Sequence, residues 1–366
     1  MEIGIIGLPK SGKTTLFNAL TRGKAETAAY SAGGSTPNIG VAKVPDARLQ
    51  KLAEMFHPRR TVPAEIRFVD VAAFPKGFGK GEGIGGQLLS HLSRADALLF
   101  VVRAFEDVSV PHVENSVDAK RDMITLNMEL AFSDLAIQER RLERILSSLK
   151  GARSPEREHL LHEQALLDRI KSSLERDVPV REQKLTADEW KLISNYQFLT
   201  AKPLLVVVNI GEGQLLRSAE VERELRSVCS GPHCDMVVVC GKLEMELAGL
   251  GEEEAAEFRQ SMGVAVSALE QVIRHSYRLL GLVSFFTTAS DEVKAWTVPL
   301  NTPAVRAAGK IHSDMERGFI RAEVVGYDDL VRCGSIAEAR KRGLLRLEGK
   351  NYLVQDGDVI TFLFNV

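Results

Sequence analysis

The chain lacks most of the features that would place it outside a cell or in a membrane. Cysteine is scarce: Cys229, Cys234, Cys240 and Cys333 are the only four in 366 residues, and no two are spaced as CxxC. No disulfide framework is expected from so few. The spacing of Cys229, His233, Cys234 and Cys240 matches no common structural zinc site, so the expectation is reduced thiols. Long apolar runs are missing too. The longest, residues 97–102 and 203–208, have the length of a strand and fall far short of a membrane span. The first residues run straight into an apolar stretch, without a charged region followed by a small-residue cleavage site, so no signal peptide and a cytoplasmic location are expected. With a net charge of −2 there is no global attraction for polyanions, and any nucleic-acid contact must be local.

What is present is ordinary globular material, 45% hydrophobic and 26% charged, in a chain long enough for two or three domains. Its most informative stretch is the first: "MEIGIIGLPKSGKTTLFNAL". Met1 to Ile6 read as a buried strand and Thr15 to Leu20 as a helix. Between them, Gly7 to Thr14 fit G-x-x-x-x-G-K-[ST]. Gly7 and Gly12 permit backbone geometry that lets successive N–H groups converge on phosphates. The predicted phosphate cradle is Pro9, Lys10, Ser11, Gly12, Lys13, Thr14 and Thr15. Lys13 brings an ammonium to the β- and γ-oxygens, the Thr14 hydroxyl ligates Mg²⁺, and the helix N-terminus adds partial positive charge.

Further along, "IRFVDVA" is a strand ending in Asp70, a candidate for holding the Mg²⁺ shell. A glycine-rich run follows, with Gly77, Gly79, Gly81, Gly83, Gly85 and Gly86, suited to moving with a γ-phosphate. Residues 97–102 form another buried strand, and "KPLLVVVNIGEG" a further one ending at Asn209 to Glu212.

With these segments in place the chain resembles the Obg-like ATPases, the YchF family of translation-factor-class NTPases. The likeness runs through "GLPKSGKTTLFNAL", "TPNIGVAKVPDARL", "FVDVAAFPKGFGKGEGIG", "FVVRAFED" and "NIGE". It continues through "EVKAWTV", "AAGKIHSDMERGFIRAEVV" and "EGKNYLVQDGDVITFLFNV", which look like that family's TGS domain, a small ubiquitin-like β-grasp fold. The implied fold is an α/β P-loop NTPase (GTPase-like) domain of residues 1–118 and 198–280. A helical coiled-coil hairpin, 119–197, is inserted in it, and a β-grasp domain occupies 281–366.

The base is read from residues 209–212. GTPases usually carry N-K-x-D there, whereas this chain has Asn209-Ile210-Gly211-Glu212, and in the resembled family the NxxE form accompanies a preference for ATP. Base contact is assigned to Asn209, Ile210 and Glu212, with Gly241 and Lys242 of "CGKLE" closing the other side. GTP is the alternative. The resemblance also implies slow hydrolysis with His112 positioning the attacking water, because Phe74 stands near the place where other GTPases have a glutamine. Lys13 completes the catalytic pair. Three departures from the family pattern bear on the chemistry. Ala73 replaces a glycine. Gly34 replaces the switch threonine, leaving Ser35 or Thr36 as magnesium contacts. Lys10 stands where an asparagine helps hold a monovalent ion in potassium-using relatives. A nucleotide sensor that does not hydrolyse is therefore a second alternative.

In the insertion, Met128, Leu135, Leu142 and Leu149 recur every seven residues, and Leu160, Leu167 and Leu174 resume the spacing after "GARSP". Thr186 to Glu189 fit a capping box. In the tail, Arg340, Lys341, Arg342, Arg346 and Lys350 are concentrated against Glu348, a basic face or a phosphate track. The resemblance implies contact with the ribosome or its RNA through the hairpin and TGS surfaces, no membrane partner, and a monomer.

Overall fold

The computed structural model describes residues 1–23, 37–71, 85–229, 231, 233–264, 266–288 and 291–365. Gly34, Ser35, Thr36, Ala73, Phe74 and the glycines from Gly77 to Gly83 lie outside them. The chain divides into two units: residues 1–41 with 67–275, and residues 42–66 with 276–366.

The first unit begins with β1 (Glu2–Ile6), the phosphate loop and α1 (Lys13–Thr21), followed by β2 (Asn38–Lys43). After α2 (Ala47–Phe56) and β3 (Arg60–Val62), which belong to the second unit, come β4 (Glu65–Asp70), α3 (Gly85–Arg94) and β5 (Ala97–Arg103). Two long helices, α4 (Ala119–Leu149) and α5 (Glu156–Leu174), and the short α6 (Ala187–Ile193) separate β5 from β6 (Leu204–Asn209). Then follow α7 (Ser218–Leu225), β7 (Cys234–Val239), α8 (Gly241–Leu247), α9 (Glu252–Ser261) and α10 (Ala268–Leu279). The described strands make a sheet in the order β2-β4-β1-β5-β6-β7. β1 pairs in parallel with β4 and β5, and β6 with β5 and β7. Every residue of β5 and β6 is buried, which is why both read as continuous apolar runs rather than alternating ones. Register sets Ile5 beside Asp70 and Arg103 beside Asn209, so the carboxyl ends of these strands line up, the place where such sheets bind ligands.

Helix α4 serves two cores. Met123, Leu126 and Leu130 pack into the core over the sheet, whereas Ile145 joins Leu160, Leu167, Ile170 and Leu174 in the core of the helical hairpin. The seven-residue series is therefore only partly a seam: Leu135, Leu142 and Leu149 pack on the hairpin core, but Met128 is 41% exposed. A straight helix repeats every 3.6 residues, and burial in its first half follows that period into the sheet core. Asp134, fully buried at the junction, accepts from Leu199 N (2.7 Å), Thr200 N (2.8 Å) and Thr200 Oγ1 (2.6 Å). The capping box at the start of α6 forms as expected, with Thr186 N donating to Glu189 Oε2 at 2.8 Å. Among the described residues no helix is long and apolar enough to cross a membrane.

One expectation about the thiols fails. Cys229 and Cys234 are joined in a disulfide, and Cys240 and Cys333 are free. Cys229 follows the turn after α7 and Cys234 opens β7.

The second unit has the β-grasp arrangement. β8 (Leu282–Thr288) and β9 (Glu292–Pro299) form an antiparallel hairpin, and α11 (Ala304–Ile311) and α12 (Ser313–Arg317) follow. Then come β10 (Phe319–Gly326), α13 (Tyr327–Cys333), α14 (Ile336–Lys341), β11 (Arg346–Glu348) and β12 (Asp358–Phe364). β12 lies parallel to β8 and antiparallel to β10, and α11 contributes Ala304, Ala307 and Ala308 to a core with Phe285, Val324 and Ile360. The surprise is the partner of the far edge: β3 pairs in parallel with β9, so residues 42–66 belong here and not with the NTPase domain. Val44 N bonds to Ala64 O at 2.8 Å, closing the segment. Arg48, next to the helix cap Asp46, ion-pairs with Asp356 at 2.7 Å and stacks its guanidinium over Phe286.

Candidate nucleotide site

The loop between β1 and α1, with the first turn of that helix, holds the predicted cradle residues, Pro9 to Thr15. Its two glycines are dictated by neighbours distant in sequence. A Cβ on Gly7 would come within 2.5 Å of the Val101 carbonyl oxygen. Gly12 has φ +90°, and a Cβ there would meet Asn209 Nδ2 at 2.2 Å. No side chain caps α1, so the amides of its first turn face outward uncapped, as an anion site requires.

Lys13 and Thr14 both converge on Asp70 at the end of β4. Thr14 Oγ1 donates to Asp70 Oδ2 at 3.0 Å, and Lys13 Nζ is 3.9 Å from Oδ1. Burial pushes the Lys13 ammonium below its ordinary pKa, with the Asp70 carboxylate opposing. Asp70 Oδ1 and Ser11 Oγ are buried without a hydrogen-bond partner. A carboxylate, a hydroxyl and an orphaned hard oxygen on one side, with an undercompensated ammonium beside them, fit a hydrated divalent cation and a polyphosphate. Of the predicted metal residues, Ser35 and Thr36 lie outside the described residues. Among the described residues no group of three or more His, Cys, Asp or Glu could hold a metal ion.

The predicted base contacts are redistributed. Asn209 is buried and spends its amide on protein: Nδ2 donates to Ser11 O at 3.0 Å, and Oδ1 accepts from Gly241 N at 2.9 Å. It clamps the phosphate loop to the start of α8. Ile210 is 2% exposed in the core over the sheet, because the apolar run of β6 continues through it. Glu212 and Lys242 remain at the rim, paired at 3.0 Å and open to solvent.

His112 also departs from expectation. Its side chain is only 3% exposed; Nε2 lies 2.9 Å from Asp122 Oδ2, and Nδ1 accepts from Glu114 N at 3.1 Å. With both nitrogens engaged and no exposed surface, this imidazole cannot hold a water where it lies. Lys10 occupies the left-handed region, φ 64°, where asparagine is several-fold enriched and lysine is strained. Backbone conformation alone thus favours asparagine here. Two residues in this region receive no role from the sequence: Asp122, and Arg103 within "FVVRAFED". Arg103 is 2% exposed, donates to Phe105 O at 3.1 Å and stacks on the Phe105 ring. The only available signal was an acid in the first turn of a helix and an arginine ending a fully apolar strand.

Known proteins resemble this chain over its whole length. Residues 2–132 match a family described as 50S ribosome-binding GTPase, and residues 282–365 match the C-terminal domain of YchF GTPases, described as a protein of unknown function. The chain is 43% identical to the ribosome-binding ATPase YchF of Bacillus subtilis, with 100% of each chain covered. It is 39% identical to the protein of the same name from Escherichia coli O157:H7, covering 100% of this chain and 99% of that one. The solved structure of the Schizosaccharomyces pombe YchF GTPase matches with a TM-score of 0.85 at 30% identity, covering 99% and 97%. The bacterial relatives are named ATPases and the yeast protein a GTPase.

Proposed function

The chain belongs to the YchF family, and from that premise we propose that it is a slow, Mg²⁺-dependent ATPase whose nucleotide state sets its binding to the ribosome. One observation carries the reading: a buried ammonium, a hydroxyl and a carboxylate meet at the mouth of an uncapped helix, and Asp70 Oδ1 is left without a hydrogen bond. Thr14 would hold the magnesium ion and Asp70 its shell. Bound there, the ion would neutralise charge developing on the β- and γ-oxygens. The chain's own groups do the rest. The amides of Pro9 to Thr15 orient the phosphates, Lys13 supplies a fixed charge that phosphate completes, and Asn209 keeps the loop registered against α8. His112 positions the attacking water once it has left its buried place.

Adenine is the proposed base, with Glu212 and Lys242 as the groups free to meet it. Calorimetric titration in Mg²⁺ should give ATP an affinity at least about tenfold above GTP, since a mispaired base edge costs on the order of 1.4 kcal/mol or more. Equal affinities would overturn the adenine reading and favour a GTPase of the same mechanism.

The Lys10 ammonium is proposed to replace a monovalent cation near the β–γ bridge. Exchanging potassium for sodium should leave phosphate release unchanged within about twofold, because the charge is covalently supplied. Strong potassium stimulation would refute it. Lys10→Asn should relieve the left-handed strain, stabilising the fold by up to about 1 kcal/mol, and should introduce potassium dependence.

For the ribosome, the basic run in the tail is largely neutralised by its own ion pairs. Arg340 pairs with Glu323, Arg342 with Glu338, and Arg346 with Glu348 and Asp358. Among the described residues that leaves Lys341 and Lys350, too few to track a phosphate backbone. The helical hairpin offers a cleft lined by Arg141, Arg144 and Lys191 together with Glu163 and Asp188; Arg141 pairs with Glu163 at 2.6 Å, so hairpin and tail stand as the two proposed contacts. A monomer acting in the cytoplasm fits this role.

A further inference from the structure

We infer that Asp122 is the positioning residue that stores His112 away from the nucleotide and governs its release. The inference rests on His112 being the water-positioning group. Because Nδ1 accepts a backbone N–H, it carries no proton; the proton is on Nε2 and is donated to Asp122 Oδ2. Histidine and carboxylate are each 3% exposed, so this is a buried, charge-assisted bond and not a surface encounter.

The carboxylate is itself held. Arg121 Nε and Nη2 reach Asp122 Oδ1 at 3.1 and 2.9 Å. The same guanidinium bonds to Ser116 Oγ and Ser116 O, both at 2.8 Å, within the loop that carries the histidine. The front of that loop is fixed separately, by Arg103 on the carbonyls of Phe105 and Asp107. What remains between these anchors is a short span, with Val108 fully exposed and Asn115 in the left-handed region. That span can carry His112 out without disturbing the sheet. Asp122 lies in the first turn of α4, which also packs into the hairpin core at its other end. A load on the hairpin therefore reaches the carboxylate that holds the imidazole.

Phosphate release at saturating Mg²⁺-ATP tests this in wild type, Asp122→Asn, His112→Ala and the double variant. Asp122→Asn should raise kcat about three- to tenfold with KM unchanged, the range set by removing one charge-assisted hydrogen bond from the stored state. His112→Ala should lower kcat, and the double variant should match His112→Ala. Asp122→Glu, which restores the charge, should return the rate toward wild type. A lowered His112→Ala rate with Asp122→Asn at or below wild type would overturn the latch and leave His112 catalytic. A His112→Ala rate equal to wild type would remove the premise and overturn both. Independently of how the variants fold, nitrogen-15 spectra of histidine-labelled, nucleotide-free wild type should show the Nε2–H tautomer at His112; the Nδ1–H tautomer would overturn the storage geometry.

Discussion

Replacing Lys13 by alanine is expected to weaken Mg²⁺-ATP binding by two to three orders of magnitude, about 3–4 kcal/mol, the worth of one or two charge-assisted hydrogen bonds in a dry site. The same change should leave thermal stability unaltered or raise it. In the nucleotide-free protein the ammonium is buried and depressed in pKa, with one carboxylate 3.9 Å away, so its removal relieves a desolvated charge. Loss of affinity without loss of stability is the signature of a group held ready for a ligand. Calorimetric titration paired with a melting curve reads both. An affinity within about threefold of wild type would remove the loop as the phosphate cradle.

The largest effect on stability is expected at Asp134. Its carboxylate satisfies two backbone amides and one hydroxyl at the junction of α4 and residues 199–200, all buried. Asp134→Ala strands those donors, at a cost of about 3–5 kcal/mol, which urea unfolding of the first unit would register. Asp134→Asn keeps one acceptor and should lose roughly half as much. Burial pushes this carboxyl up to about 6, against the pull of its donors. Its folded value lies above that of the unfolded chain, so between about pH 4 and pH 6 the native state keeps a proton that the unfolded state has shed. The contribution of Asp134 is therefore fullest below that window and declines as pH rises through it, by at most about 3 kcal/mol. The stability difference between wild type and Asp134→Asn should follow that decline. A difference growing with pH would mean the donors outweigh burial.

The parts of this molecule that the sequence made legible are those whose cause is local. The phosphate loop is a fixed spacing between strand and helix, Asp70 is the acid that ends an apolar strand, and the Thr186 cap is four consecutive residues. What was not legible depends on partners far along the chain. Asn209 looks like a base reader until its amide is found between Ser11 and Gly241. Ile210 goes to the core because its strand does not stop where the motif begins. His112 keeps its place through Asp122, whose only mark was being acidic near a helix start. The transfer of residues 42–66 to the second unit turns on three residues of β3, too few to carry a pattern. The heptad misled at Met128 because seven residues nearly, but not quite, make two turns of a straight helix.

The clamp made by Asn209 bears on how the protein comes into being. Residues 7 to 14 do not supply their own brace, because the amide that props Ser11 sits on β6 and is in turn fixed by Gly241. During synthesis the motif emerges first and its brace almost two hundred residues later, after the whole hairpin. A nascent chain carrying the complete signature still lacks the amide that props Ser11 until β6 has been made.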